Sequence, residues 1–290
     1  MAKIKDVLSE NRPTLSFEVF PPKSADLYES VEKAAGEIAA LNPSFMSVTC
    51  GAGGGNRQYT VEIAADLRNR FNVSSLAHLT CVAATKESVD TAIADMKTHG
   101  IENVLALRGD LPAGMEALPE NVAFHHANEL VEYIRANSDL CIGGACYPEG
   151  HPEAGSKDED IKNLKRKVDT GCDFLTTQMF FDNSILYNYL YRIREAGIEV
   201  PVCAGIMPIT NAKSAKRSVE LSGCVFPARF RALMDRFGSD PGAMMQAGIA
   251  YATDQIIDLI ANGVYHIHVY SMNKPEVARG IAANLSQIIK

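Results

Sequence analysis

Short apolar runs rich in β-branched and aromatic residues alternate along this chain with longer segments whose apolar positions recur every three to four residues. Eight runs have strand character: TLSFEVF (14–20), FMSVTC (45–50), SLAHLTC (75–81), NVLALRGD (103–110), CIGGACYP (141–148), FLTTQMFF (174–181), PVCAGIMP (201–208) and YHIHVYSM (265–272). Helical spacing marks the segments 25–40, 59–71, 86–98, 123–136, 157–170, 184–196 and 211–221, and 275–289 closes the series. Strand followed by helix, eight times, predicts an α/β fold, a single (β/α)8 TIM barrel domain over residues 1–290. The stretch between the seventh and eighth runs is longer than the others. It leaves room for a helix at 227–237 ahead of a long one at 242–261, so a helical insertion is expected around 222–240. No Pro/Ser-rich linker or charge block divides the chain. An open doubly wound sheet competes, but its GxGxxG after the first strand is missing. The nearest match, GAGGGN (51–56), follows the second run and has Asn where the last Gly should stand. It reads as a loop near a ligand or as an ordinary βα turn.

Composition narrows the partners. Of 290 residues 47% are hydrophobic, ample for a large core, and 28 basic against 35 acidic residues leave a net charge of −7. That charge argues against nucleic acid and anionic membrane surfaces and for a small-molecule substrate. Seven cysteines, an odd number without a CxxC pair, suggest reduced core thiols in a reducing compartment. The first residues are charged, and no run approaches the roughly 20 apolar residues that span a bilayer. A soluble, cytoplasmic protein is expected.

Barrel active sites form at the C-terminal strand ends. The polar residues there are Glu18, Thr49, His78 and Thr80, Arg108 and Asp110, Tyr147, and Gln178. Alternation puts Ser16, Glu18 and Phe20 on one face of the first strand and Leu15, Phe17 and Val19 on the other. If the apolar face meets the helices, Glu18 points into the barrel mouth. The same parity groups Arg108 with Asp110, Thr176 with Gln178, and His266 with His268. Glu18 stands in SFEVFPP among bulky apolar neighbours. Desolvation there would raise its pKa toward neutrality, as a general acid requires; a salt bridge to a barrel lysine or arginine is the plainer alternative.

In ALRGDLP (106–112), Gly109 permits close approach of a planar ligand, Arg108 can engage a phosphate, and Asp110 can accept from ring N–H groups. An internal Arg108–Asp110 ion pair is the alternative. YPEGHPEA (147–154) leads into a helical segment in which Asp160, Asn163 and Lys167 share a face, with Arg166 beside them. An acid for ribose hydroxyls and bases for a diphosphate would suit a dinucleotide; a solvated amphipathic face is the alternative. His266 and His268 form an HxH pair of the kind seen in metal-dependent barrel hydrolases. No carboxylate cluster accompanies them, so no metal is expected and strand histidines with satisfied hydrogen bonds suffice.

Taken together, SFEVFPPK (16–23), SVTCGAGG (47–54), AHLTC (77–81), ALRGDLP (106–112), YPEGHPEA (147–154), NLKRKVDTG (163–171), TTQMFFD (176–182) and GIMPITN (205–211) closely resemble the methylenetetrahydrofolate reductases, in order and spacing over nearly the whole chain. The resemblance implies an FAD enzyme that takes hydride from NADH or NADPH and passes it to 5,10-methylenetetrahydrofolate in ping-pong fashion, within one-carbon metabolism and methionine biosynthesis. It implies Glu18 as general acid and Asp110 as the second catalytic residue, facing flavin and pterin. Flavin contacts would fall on Thr49, Cys50, Ala52, His78, Arg108, Gly109, Asp110, Ala127, Tyr147, His151, Ala154, Asp160, Asn163, Arg166 and Lys167. Folate contacts would fall on Glu18, Asp110, Gln178, Ser214 and Lys274. A homo-oligomer is expected from related enzymes. Two positions depart from the family pattern: Cys50 stands where many relatives carry an aromatic, and Ser218 replaces an apolar residue near the nicotinamide and folate site. The sequence stops after the last predicted barrel helix, so the regulatory domain of eukaryotic relatives, and control by S-adenosylmethionine, are not expected.

Overall fold

Eight parallel strands close on one another in the order β1 to β8, each pairing with its neighbours in sequence and β8 returning to β1. The computed structural model describes residues 2–50, 57–82, 84–111, 122–213, 215 and 222–289. The strands are β1 (Thr14–Val19), β2 (Met46–Val48), β3 (Ser75–Thr80), β4 (Asn103–Leu107), β5 (Cys141–Cys146), β6 (Phe174–Thr177), β7 (Val202–Ile206) and β8 (His266–Tyr270). Helices follow as α1 (Ile4–Leu8), α2 (Tyr28–Ala39), α3 (Arg57–Asn69), α4 (Lys86–Thr98), α5 (Ala127–Asn137), α6 (Lys157–Asp169), α7 (Asn183–Glu195), α8 (Ala228–Phe237), α9 (Pro241–Ala261) and α10 (Pro275–Leu285). All eight predicted strands are present, shorter at their ends, because the terminal residues of each run turn into the loops that build the mouth.

Alternation along each strand separates two cores. Leu15, Phe17 and Val19 of β1 join Val48, Leu79, Val104, Ile142 and Val269 in the layer between strands and helices. The opposite faces fill the barrel interior, where Phe45, Leu76, Leu105, Cys141, Phe174 and Cys203 make an apolar floor. Helix α1, which hydropathy alone did not predict, plugs this end with Ile4 and Leu8, both buried. Five residues cannot hold a helix alone. Tertiary contacts hold this one, including the Ile4 amide donating to Asn103 Oδ1 at 2.8 Å.

Above the floor the interior turns polar: Glu18, Ser47, His78, Thr176 and His268 are all buried. Gly205 makes this layer possible. A Cβ there would lie 2.4 Å from the Tyr270 hydroxyl, which crosses to donate to Thr177 O at 2.5 Å. Between β7 and β8, α8 packs on α9, and Phe181, Phe226, Phe230 and Tyr251 form a separate aromatic cluster beside the mouth. Among the described residues no helix is long and apolar enough to cross a membrane.

Candidate active site

Glu18 sits at the end of β1 with 7% of its surface exposed. Its sequence neighbours Phe17 and Val19 point into the helix layer, so its surroundings are not the apolar ones that SFEVFPP suggests. They are polar. Ser47 Oγ lies 3.3 Å from Glu18 Oε2, His78 Nε2 3.5 Å and His268 Nε2 3.9 Å. No lysine or arginine pairs with Glu18 among the described contacts, in place of the barrel salt bridge weighed above. Burial pushes the His78 imidazole down to about 4, only partly offset by the Glu18 charge, so the ring is neutral near pH 7. Its Nε2 is buried without a hydrogen-bond partner among the described residues, an orphan aimed at the carboxyl.

His266 and His268 serve different partners: His266 Nδ1 meets Thr14 Oγ1 at 3.1 Å, while His268 stacks on Phe45 and bonds Ser16 and Ser47. Among the described residues no group of three His, Cys, Asp or Glu side chains is placed to hold a metal ion.

Beside this cluster, over the ends of β3 to β5, lies a cavity of about 580 Å³, within the roughly 300–1,000 Å³ usual for small-molecule sites. Thr80, two residues beyond His78 on the same face of β3, joins the two regions. The loop after β4 contributes Arg108, Gly109 and Asp110. Gly109 has φ +85°, and a Cβ there would lie 2.9 Å from Val82 Cγ1 and 3.0 Å from Thr80 Cβ, so this cradle admits only glycine comfortably. Arg108 pairs with Glu153 through both carboxylate oxygens, Nη2 to Oε1 at 2.7 Å, and not with Asp110. That bond holds the Glu153 carboxyl below its ordinary range.

The loop after β5 brings Tyr147 and His151 edge to face at 4.6 Å, with Ala154 capping the turn through its amide to His151 O. Burial and the charges of Asp110 and Asp160 push the Tyr147 phenol up to about 12, keeping it protonated. The Glu153 amide donates to His151 Nδ1 at 3.1 Å, and burial lowers that imidazole. Helix α6 then presents Asp160, Asn163, Arg166 and Lys167 to the cavity. Ser156 caps it by accepting from the Glu159 amide, and acids lie in its first turn and bases in its last, matching the helix dipole. Lys167 Nζ reaches back to Ala145 O, while burial raises Asp160 against the pull of His151 and Lys167.

Cys50 and Ala127 also line the cavity. Thr49 lies just outside it, its carbonyl accepting from Thr60 Oγ1 at 2.8 Å. Gln178 and Lys274 follow the ends of β6 and β8, and neither is among the residues that line the cavity. Gln178 Oε1 accepts from the Met179 amide, and Lys274 Nζ donates to Thr210 Oγ1 at 2.9 Å. Ala52, Ser214 and Ser218, with GAGGGN, lie outside the described residues. Parity puts Ser16 on the face of Glu18, whereas Ser47 and Tyr270 were missed as members of the polar layer; inward parity on β2 and β8 was the available signal.

A parallel barrel that gathers a buried carboxyl and a charged cavity at its C-terminal strand ends has the layout of the (β/α)8 enzymes. Residues 3–286 match the family described as methylenetetrahydrofolate reductase, and the chain belongs to that family. It is 35% identical over 271 residues to the 5,10-methylenetetrahydrofolate reductase of Escherichia coli (strain K12), covering 93% of this chain and 90% of that one. It is also 35% identical over 298 residues to methylenetetrahydrofolate reductase (NADH) 1 of Arabidopsis thaliana, 99% of this chain but 50% of the plant protein. The chain spans about half the length of the plant relatives it matches. A Clostridium thermocellum protein described as binding two copies of 5-methyl-5,6,7,8-tetrahydrofolic acid shares the fold with a TM-score of 0.67 at 14% identity, over 99% of this chain and 100% of that one.

Proposed function

We propose that this chain reduces 5,10-methylenetetrahydrofolate to 5-methyltetrahydrofolate, using FAD and a nicotinamide donor, NADH or NADPH. The observation that carries this reading is the buried Glu18 carboxyl beside a cavity whose donor set suits a dinucleotide. Arg108, Arg166 and Lys167 supply cations for a diphosphate, Asp160 and Asn163 hydrogen-bond ribose hydroxyls, and the Gly109 cradle and Tyr147 leave room for a planar ring. Thr49, Cys50, Ala52, His78, Ala127, His151 and Ala154 complete the proposed flavin contacts. Bound there, FAD would supply hydride transfer between the two substrates.

The chain's own work is acid catalysis and electrostatics. The imidazolidine ring of the folate must open to an iminium before it accepts hydride, and protonation of N10 by Glu18 drives that opening. Asp110, exposed at the cavity edge, binds the pterin and stabilises the positive charge that develops. Gln178, Ser214 and Lys274 position the folate. Nicotinamide and folate alternate in one pocket, so kinetics are ping-pong. A cytoplasmic homo-oligomer that binds neither nucleic acid nor membrane belongs to the same reading.

Purified protein should be yellow and should bleach with NADH under anaerobic conditions. Glu18→Gln should keep that bleaching rate while slowing reoxidation by methylenetetrahydrofolate by about 10²–10⁴-fold. Equal loss in both half-reactions would remove Glu18 from the acid role.

A further inference from the structure

One line of hydrogen bonds runs through the polar layer from Glu18 to the backbone of β8. Glu18 Oε2 is 3.3 Å from Ser47 Oγ, Ser47 Oγ is 3.1 Å from His268 Nε2, and His268 Nδ1 is 2.8 Å from Ser16 Oγ, which is 2.9 Å from Ile267 O. His268 is 1% exposed and its ring lies flat against Phe45, 5.5 Å between centroids and 11° between planes, so it has no route to bulk water of its own.

The hydrogens in this line can be counted. A carbonyl only accepts, so the Ser16 hydroxyl donates to Ile267 O and offers its lone pair to His268 Nδ1–H. With the ring proton fixed on Nδ1, Nε2 faces Ser47, which has a single hydrogen to share between Nε2 and Glu18. Two arrangements leave no atom of this line unpaired. In one, Ser47 donates to a neutral His268 and receives from a protonated Glu18. In the other, a protonated His268 donates to Ser47, which donates to the Glu18 carboxylate. They differ only in where one proton sits. Removing that proton leaves either Nε2 or Oε2 buried without its partner, a loss of about 1–3 kcal/mol in general.

We propose that His268, acting through the Ser47 hydroxyl, holds the proton that Glu18 delivers, so that the carboxyl and the imidazole share one proton. In this role His268 and Ser47 are positioning residues, and the proposal rests on the reading of Glu18 as the acid. When Glu18 gives its proton to the folate nitrogen, Ser47 turns its hydrogen to the new carboxylate. Solvent returns one proton to the pair before the next turnover, and no electrons move. The other ionisable groups that face Glu18 do not compete for the proton. His78 on β3 is held neutral by burial, and Tyr270 on β8 is kept a phenol by burial and by the Glu18 charge.

The test is nitrogen NMR of ¹⁵N-histidine-labelled, FAD-loaded protein, titrated in the wild type and in Glu18→Gln. In the wild type His268 should carry hydrogen on Nδ1 throughout, and the response of its Nε2 resonance to pH should differ from that in Glu18→Gln. Coupling is reciprocal. Ser47→Ala should therefore move the alkaline limb of the folate half-reaction to lower pH and reduce kcat with KM unchanged, Ser47→Thr should restore it, and flavin reduction by NADH should follow the wild type. An Nε2-protonated tautomer, or identical His268 titration in the wild type and Glu18→Gln, overturns the proposal without recourse to Ser47 variants that fail to fold. Coupled titration in a protein that does not turn over methylenetetrahydrofolate supports the pair and overturns only the assigned reaction.

Discussion

Replacing Gly109 by alanine tests the cradle at the mouth of β4. The backbone there holds φ +85°, where an L-residue with a Cβ costs about 1–2 kcal/mol. The new methyl would stand 2.9 Å from Val82 Cγ1 and 3.0 Å from Thr80 Cβ. Both neighbours are buried, Val82 at 1% and Thr80 at 5% exposure, so they cannot swing away into solvent. Crowding of this kind adds about 1–3 kcal/mol, for a total near 2–5 kcal/mol. In a domain of this size that corresponds to a fall in Tm of about 3–8 °C, read by calorimetry on the apoprotein. Because Arg108 and Asp110 flank the site, FAD affinity, read by quenching of flavin fluorescence, should fall by at least about tenfold, or 1.4 kcal/mol. Gly109→Asn separates the two contributions. Asparagine tolerates the left-handed backbone but keeps the Cβ contact, so it should lose roughly half as much. A Gly109→Ala protein with unchanged Tm and unchanged FAD affinity would refute the close packing of this loop on β3.

Two further outcomes follow from burial. Because the folded His78 pKa is depressed to about 4 from an ordinary 6.5, the unfolded chain binds the extra proton first, and stability falls as pH drops from 6.5 toward 4. The loss between pH 7 and pH 5 should be about 2 kcal/mol by denaturant titration and absent in His78→Asn; equal pH dependence in the two proteins would contradict it. Burial also pushes Cys81, Cys172 and Cys224 up to about 11, Cys141 and Cys146 up to about 12, and Cys203 higher still. Half-exposed Cys50 should therefore be the fast-reacting thiol of the native protein, lost in Cys50→Ser and shielded by FAD; several fast thiols would show that the core opens.

The barrel was legible in the order of residues because its cause is local. Each strand run alternates between two buried faces, each helix carries one apolar stripe, and eight repeats of that unit close in one way. Spacing on one helix likewise placed Asp160, Asn163 and Lys167 on one side, and all three line the cavity. Partners drawn from distant segments were not legible. Glu18 stands among large apolar residues in sequence but among Ser47, His78 and His268 in space, because Phe17 and Val19 turn outward to the helices. Arg108 found Glu153 across the mouth and not Asp110 two residues away, since Gly109 bends the chain between them. Helix α1 exists only because the barrel floor needs Ile4 and Leu8. Periodicity is a property of consecutive residues and survives without the fold. Which donor meets which acceptor depends on strand register and barrel closure, which bring residues more than two hundred positions apart to within 3 Å.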